Sequence, residues 1–339
     1  METINKILQF LRTWMLAVSI IIGALMYLVF VWCPSLAPYE APALSVVKMV
    51  QPWFIFAMLF ITFCKVNPRD LHLRRWHLWH LLVQAGTFIV LALPLILAAS
   101  VVGGASAAPD DTSTAIVTWR PVIESAMLCL ICPTATAAAV VTGKLGGNMA
   151  GLTSYTILIN LVVAVVIPAV VPLINPDATL GFWTSFGLII SKVFPLLICP
   201  FFLAVLVRWL NPRLLAAITR IKDLAFYLWA ISLALAIMVS VKSLWETTAA
   251  TWVLAGIAIA SLLTCILQFA LGRWIGHTHD DPISAGQALG QKNTVFLIWC
   301  GYTFFDPVTS IAGGFYSIWH NLWNSYQIAR VQSNRKPNN

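Results

Sequence analysis

Long apolar runs, separated by short polar segments, fill most of the chain. A helix of about 20 apolar residues spans the hydrocarbon core of a bilayer. Ten such runs follow one another, and no polar segment between them is long enough to form a soluble domain. The pattern therefore predicts an all-α membrane protein with ten transmembrane helices. The predicted spans are residues 13–32, 46–64, 78–101, 121–143, 149–174, 181–207, 224–241, 251–272, 282–304 and 308–329.

The positions of lysine and arginine predict the orientation of these spans. Fifteen of them fall in segments on the same side as both termini, and three, Lys48, Arg120 and Lys242, fall on the other side. Positively charged loops remain in the cytoplasm during membrane insertion. We therefore expect residues 1–330 to form one multi-pass domain in the cell inner membrane. Both termini, including a short tail at 331–339, are then cytoplasmic.

Composition supports a membrane protein and argues against several other classes. Hydrophobic residues make up 60% of the chain, charged residues 9%, and the mean hydropathy is +0.87, which exceeds the range of soluble globular domains. The net charge of +8 is spread between apolar runs, so we expect no nucleic-acid partner. The sequence contains no nucleotide-binding or hydrolase motif, so we expect neither ATP as a partner nor enzymatic activity.

Cysteine usage gives no sign of a metal centre. The seven cysteines are odd in number and lie within or at the ends of apolar segments, which does not favour a disulfide framework. Cys129 and Cys132 form a C-x-x-C without a second pair or a nearby histidine. We therefore interpret them as small packing residues and expect no bound metal and no cofactor.

Two of the predicted spans are interrupted. Pro133 breaks the segment 131–139, and Gly290 and Lys292 break the segment 288–294. Non-helical backbone survives at membrane depth only where protein or a water-filled cavity satisfies its N–H and C=O groups. Paired interruptions of this kind mark the binding site in many transporters. We therefore predict that the two interrupted spans cross each other at the centre of the protein.

The topology also predicts an internal repeat. The first five spans (13–174) and the last five (181–329) have the same number of members, so the second half enters the membrane in the opposite orientation. The interrupted spans are then fourth and ninth, which are equivalent places in an inverted repeat. We find no residue-level similarity between the halves, so this prediction depends on topology and on the paired interruptions.

Polar residues near the interruptions are the candidates for function. Pro133 frees carbonyl groups before it and exposes amides after it, where partial positive charge favours anions. Lys292 is about ten residues from either end of its span, where a charge costs about 2.5–3.5 kcal/mol and is expected to face a cavity or a partner. The candidate substrate- or ion-binding residues are Pro133, Thr134, Thr136, Thr142, Thr156, Asn160, Gln291, Lys292, Asn293, Thr294, His320 and Asn321. For Pro133 the alternative is a simple proline kink, and for Lys292 it is a side chain that reaches the membrane surface. For the other polar residues the alternative is polar contact between helices.

At these residues the chain resembles the bile acid:sodium symporter family, as a divergent member. Cys132-Pro133-x-x-Thr136-Ala137 followed by Thr142 is similar to the family's C-P-G-G-T-A-S-N-x-x-T. Two further segments carry the resemblance: Gly290-x-x-Asn293 is similar to E-x-G-x-Q-N, and Ser317-x-Trp319-His320-Asn321 is similar to S-x-W-H-N. The order and spacing of the three motifs extend the resemblance over most of the chain.

The resemblance implies a fold and an activity. The fold is ten helices split into a panel domain (spans one, two, six and seven) and a core domain (spans three to five and eight to ten), with spans four and nine crossing at their unwound centres. The activity is secondary transport by alternating access, with an organic anion bound in the cleft between the two domains of this membrane-embedded carrier.

The chain departs from the family at the sodium ligands. Ala138 and Ala139 replace a serine and an asparagine, Ala288 replaces a glutamate, and Leu152 replaces a serine, while Thr156 is retained. We therefore doubt that sodium is bound. Lys292 stands where the family has a glutamine, and its ammonium would take the place of a cation.

Three roles for Lys292 remain open. A permanently charged lysine would make the carrier independent of ions, and one that exchanges its proton would couple transport to the proton gradient. The third role is direct pairing with a substrate carboxylate. The alternatives to this whole interpretation are a sodium-coupled anion symporter with altered ligands, and a channel or sensor built on the same fold.

Overall fold

The computed structural model describes residues 2–67, 69, 71–103, 111–176, 179–221 and 224–335, and these residues form an all-helical bundle. The helices are α1 (Glu2–Trp32), α2 (Ala37–Cys64), α3 (Arg75–Gly103), α4 (Asp111–Ile131), α5 (Ala138–Leu145), α6 (Met149–Ile174), α7 (Phe182–Leu197), α8 (Cys199–Leu210), α9 (Pro212–Arg220), α10 (Leu224–Glu246), α11 (Thr251–His277), α12 (Pro282–Gly290), α13 (Thr294–Phe304) and α14 (Ile311–Arg335). Short 3₁₀ helices precede α2 and α14, at Pro34–Leu36 and Pro307–Ser310.

Within the described residues, six helical segments are long and apolar enough to cross a membrane. They are Pro34–Cys64, Arg75–Ala99, Met149–Ile174, Phe182–Leu210, Leu224–Glu246 and Thr251–His277, and Ala17–Trp32 and Thr294–Phe304 are shorter apolar helices. Four of the ten predicted spans fall outside these six: the first, the last and the two that are split into half-helices. The prediction of an all-helical membrane protein is confirmed.

Several element boundaries differ from the prediction. The first, second and seventh predicted spans are parts of longer helices, because α1 begins at Glu2, α2 at Ala37, and α10 ends only at Glu246. Helix α14 continues through Arg335 into the segment predicted as a tail, and residues 336–339 lie outside the described part. Lys222 and Lys336, which contribute to the charge asymmetry, also lie outside it. The short helix α9 was not predicted, since its apolar positions are too few for a span.

The ends of the helices around the two interruptions follow from local sequence. Gly146 adopts φ 86° at the end of α5, and the Asn148 side chain accepts a hydrogen bond from Gly151 N (2.9 Å) at the start of α6. Asp306 likewise accepts a hydrogen bond from Val308 N (2.9 Å). Asp281 precedes Pro282 but makes no such cap, because its carboxylate pairs with the Arg74 guanidinium at 3.3 Å.

The helices pack in two groups. In the first group α1 packs against α10, and α2 packs against α7, α8 and α10. In the second group α3 packs against α4 and α6, and α11 packs against α4, α12 and α14. The groups meet through contacts of α10 and α2 with α13, of α10 with α14, and of α6 with α7. This division places the half-helices α4–α5 and α12–α13 inside the second group.

Candidate functional site

The two interrupted spans contact each other at their breaks. Helix α4 ends at Ile131 because Pro133 cannot donate a backbone hydrogen bond, and helix α12 ends at Gly290. Between the half-helices, the two connecting segments pair in antiparallel fashion at Thr134 and Lys292. Two backbone hydrogen bonds of 2.8 Å flank this pair, from Ala135 N to Gln291 O and from Asn293 N to Pro133 O. The predicted crossing is present.

Side chains from two helices and from the break between α12 and α13 satisfy the carbonyl groups at the end of α4. Lys292 Nζ donates to Leu130 O at 3.1 Å. Gln84 Nε2, on α3, donates to both Ile131 O and Cys132 O at 2.8 Å. Gln268 Nε2, on α11, donates to Cys129 O at 3.1 Å. Consecutive carbonyls of this interrupted helix therefore have side-chain donors in place of the missing next turn.

The carbonyl groups at the end of α12 are satisfied in a similar way. The Thr134 hydroxyl donates to Ala288 O at 2.7 Å, and the Tyr316 hydroxyl donates to Gly290 O at 2.8 Å. The Asn293 side chain accepts a hydrogen bond from Phe296 N (3.2 Å), so it caps the start of α13. Thr294 Oγ1 is 2.6 Å from Ser317 Oγ on α14.

Two glutamine–tyrosine pairs support the crossing, and sequence reasoning missed both. The Tyr155 hydroxyl on α6 donates to Gln84 Oε1 at 2.7 Å. Gln268 Nε2 on α11 donates to the Tyr316 hydroxyl on α14 at 3.0 Å. In each pair the glutamine also donates to carbonyls at the end of α4. Each glutamine belongs to a polar stripe at helical spacing, His80–Gln84–Thr87 on α3 and Ser261–Thr264–Gln268 on α11, and these stripes are the signal that the sequence offers.

Lys292 is enclosed by protein. Its side chain is 0% exposed, and its ammonium contacts the carbonyl end of α4, where the helix dipole is negative. Within the described residues, no carboxylate forms an ion pair with it. Backbone dipoles therefore compensate its charge.

A cavity of about 700 Å³ adjoins the crossing, between the two helix groups. Among the candidate residues it is lined by Thr136, Gln291, Lys292, His320 and Asn321. The first helix group contributes Phe226 and Trp229 from α10 and the end of α2 near Lys65, and Lys144 on α5 lies on the facing wall. Gln291 Oε1 and His320 Nδ1 are buried without a hydrogen-bond partner in the structure. Such atoms are available to a ligand or to water.

The other candidate residues are separate from this cavity. Pro133, Thr134, Asn293 and Thr294 form or cap the crossing itself. The remaining three are buried on α5 and α6, and they are Thr142, Thr156 and Asn160. The Thr156 hydroxyl donates to Leu152 O of its own helix at 3.0 Å, whereas both polar atoms of the Asn160 side chain have no partner. Thr153, one turn before Thr156, does line the cavity.

A second group of charges lies near the middle of α4. Glu124 is buried and accepts a hydrogen bond from Arg120 Nε at 2.8 Å. Arg120 also donates to Ile174 O (3.0 Å) and to Asn175 Oδ1, which ties α4 to the end of α6. Glu124 and Arg120 line a separate cavity of about 410 Å³.

Comparison with known proteins identifies the family. A comparison with curated proteins found no significant match. A family model described as the SBF-like CPA transporter family matches residues 21–319. This match covers both interrupted spans and both helix groups. The chain therefore belongs to the SBF-like CPA transporter family, in agreement with its resemblance to the bile acid:sodium symporters.

Proposed function

We propose that the protein is a secondary active transporter that moves an organic anion by alternating access, with the Lys292 ammonium in place of a coupling cation. The observation that carries this proposal is the hydrogen bond from Lys292 Nζ to Leu130 O at the crossing, beside a cavity of about 700 Å³. A buried charge at the centre of a membrane domain is retained where it has a function.

We propose ten transmembrane helices arranged as two inverted repeats. In this arrangement α4–α5 and α12–α13 are the fourth and ninth spans, and α7–α8 form the sixth. The contacts support this repeat more directly than the sequence does. Gln84 and Tyr155 lie on the third and fifth spans, and Gln268 and Tyr316 lie on the eighth and tenth. Equivalent spans thus carry the same pair of hydrogen-bonded residues.

The two helix groups correspond to a panel and a core that move against each other. The cavity opens at the end of the bundle where α2 and α5 finish, near Lys65 and Lys144. At the opposite end the groups touch: the Tyr302 hydroxyl donates to Gln51 Oε1 at 3.1 Å, and Lys192 Nζ lies 6.0 Å from the centroid of the Phe304 ring. We infer an inward-facing state, with both termini in the cytoplasm and the protein in the cell inner membrane.

The lining of the cavity supports an anionic, partly apolar substrate. The first turn of α5 borders the cavity at Ala137 and Ala139, where helix amides favour negative charge. Lys65 and Lys144 add positive charge, and Phe226 and Trp229 provide an apolar wall. We expect no role for ATP or nucleic acid.

Sodium is a poor fit to this crossing. Ala138, Ala139 and Ala288 offer no side-chain oxygen, and the Thr156 hydroxyl is bonded to its own helix. The Lys292 ammonium already donates to the carbonyl end of α4. Sodium requires several oxygen ligands, so we infer an ion-independent or proton-coupled carrier. Because the ammonium contacts backbone, replacement of a cation is better supported than direct pairing with a substrate carboxylate.

Transport in proteoliposomes tests the proposal. Organic anions that raise the unfolding temperature of the purified protein would be selected, labelled, and followed in counterflow with sodium replaced by N-methyl-D-glucamine and with pH varied. We expect saturable counterflow that persists without sodium. An absolute requirement for sodium would overturn the role of Lys292, and unsaturable flux would indicate a channel.

A further inference from the structure

Helix α9 is a short surface helix held at one end of the bundle. The Asn211 side chain accepts a hydrogen bond from Leu214 N (3.0 Å) and caps its start. Just before it, Arg208 Nη2 donates to Cys64 O (2.9 Å) and Val66 O (2.6 Å) at the end of α2. These contacts fix α9 at the end of the bundle where the large cavity opens.

Two charged side chains share one face of α9. Arg213 and Arg220 are seven residues apart, which is close to two helical turns, so they lie on the same side. Both are exposed, and neither forms an ion pair within the described residues. Leu215 and Ile218 lie on another face and pack against the hydrophobic core. The two guanidinium groups are therefore free to bind a partner outside the protein.

Large apolar side chains are exposed beside these arginines. Their exposed fractions are 79% for Trp209, 64% for Leu210, 45% for Leu214 and 52% for Ile221. In water an apolar group of this size would be unfavourable. Trp209 and Leu210 end α8, Leu214 is on α9, and Ile221 follows it. A segment that lies at a membrane surface combines apolar residues toward the acyl chains with basic residues at the headgroups in this way.

We propose that α9 lies in the membrane interface and that Arg213 and Arg220 bind the phosphate groups of anionic phospholipids. The planar guanidinium group donates two parallel hydrogen bonds to a phosphate, and Arg is suited to this geometry. Each basic residue at an anionic surface corresponds to about a fivefold preference over a neutral surface, so two give a preference on the order of twentyfold. The binding site is independent of the proposed transport function.

Reconstitution in bilayers of defined composition tests this proposal without a known substrate. The full-length protein is placed in nanodiscs of phosphatidylcholine alone or with phosphatidylglycerol, and hydrogen–deuterium exchange is measured for peptides covering residues 208–221. We expect exchange in these peptides to slow several-fold with the anionic lipid, and the difference to shrink at high salt. We expect Arg213→Gln/Arg220→Gln to lose the difference between the two lipid compositions.

Two matched variants separate charge from folding. Arg213→Lys/Arg220→Lys keeps the charge at α9, and we expect it to retain most of the lipid effect. Arg69→Gln/Arg75→Gln removes the same charge from other exposed positions, and we expect it to retain the lipid effect at α9. An unchanged lipid effect in Arg213→Gln/Arg220→Gln would overturn the proposal. A change in oligomeric state in that variant, without any lipid effect, would instead identify this surface as a contact between two copies of the chain.

Discussion

The two sides of the helix crossing satisfy equivalent carbonyl groups with different side chains. Thr134 and Lys292 face each other in the antiparallel pair. Each donates to the residue four positions before the other: Thr134 to Ala288 O at 2.7 Å, and Lys292 to Leu130 O at 3.1 Å. One side thus uses a neutral hydroxyl, and the other uses an ammonium in an equivalent place.

This comparison concerns why a lysine, and not a second neutral donor, is at this place. The threonine demonstrates that a neutral donor can satisfy a carbonyl at this point of the crossing. A charge there costs about 2.5–3.5 kcal/mol more than an apolar residue. Hydrogen bonding to the backbone alone therefore does not account for Lys292, which agrees with the proposed role of its charge in the transport cycle.

The largest predicted effect comes from removing that charge. We expect Lys292→Met to reduce counterflow by about 100-fold, because a charge that costs about 2.8 kcal/mol is retained only for a comparable gain in function. The unfolding temperature is expected to change little, because Leu130 O loses its donor while a charge no longer has to be buried, and the two effects oppose each other. Counterflow and thermal unfolding of the same purified sample measure both effects.

Lys292→Arg is the matched control, since it keeps the positive charge but changes its geometry. We expect it to retain more transport than Lys292→Met. If Lys292→Met instead loses stability and transport together, the lysine is a structural donor like Thr134, and the contrast between the two sides disappears.

The next largest effect concerns Gln84, which supports the carbonyl end of α4 on the lysine side of the crossing. Gln84 donates to two carbonyls at the end of α4 and also accepts from Tyr155. We expect Gln84→Leu to lower the free energy of unfolding by about 2–4 kcal/mol, because each buried carbonyl left without a donor costs about 1–3 kcal/mol. Gln268→Leu leaves one carbonyl, Cys129 O, without its donor and should cost less, since the Tyr316 hydroxyl that also loses Gln268 keeps its bond to Gly290 O. Chemical denaturation in detergent measures both, and equal losses would contradict this order.

The sequence predicted the crossing because its signals are strong and local. Pro133 and Lys292 each break a long apolar run. In a bilayer such a break is stable only where protein or a water-filled cavity satisfies the backbone. The breaks therefore predicted contact between segments more than 150 residues apart, which the Thr134–Lys292 pairing confirms.

The supporting residues were beyond the reach of the sequence. Gln84 and Gln268 lie in short polar stripes, which indicate a polar helix face but not its partner, and the α4 carbonyls that they contact are 47 to 139 residues away in the sequence. The proposed repeat is likewise supported by contacts rather than by similar residues in the two halves. The candidate residues also include three that the fold keeps apart from the cavity. Thr142, Thr156 and Asn160 share helices with residues that line the cavity, but they are buried away from it.

Removal of the Thr134 hydroxyl, on the other side of the crossing, is predicted to have a smaller effect. We expect Thr134→Val to lower the free energy of unfolding by about 1–3 kcal/mol, because Ala288 O loses its donor in a buried place. Counterflow per folded molecule should change little. Thr134→Ser keeps the hydroxyl and should remain close to the unchanged protein. A loss of transport as large as that of Lys292→Met would show that both sides serve the cycle.

The smallest effect concerns the closed end of the molecule, where Tyr302 joins α13 to α2. Its hydroxyl donates to Gln51, and Lys48 Nζ lies 5.6 Å from the centroid of its ring. We expect Tyr302→Phe to raise the outward-facing population about fivefold, because one hydrogen bond is worth about 1 kcal/mol.

The shift is measured by labelling Thr136→Cys, at the cavity wall, with a membrane-impermeant maleimide applied from the outer side, in a chain whose exposed Cys33 is replaced by Ser. Tyr27→Phe is the control, since the Tyr27 hydroxyl bonds Glu246 at 3.4 Å within one helix group and does not join the two. Faster labelling from the outer side in Tyr302→Phe, but not in Tyr27→Phe, would show that the Tyr302 contact stabilises the inward-facing state. Equal labelling in both variants would mean that the charge at the crossing, and not the contact at Tyr302, sets the balance between the two states.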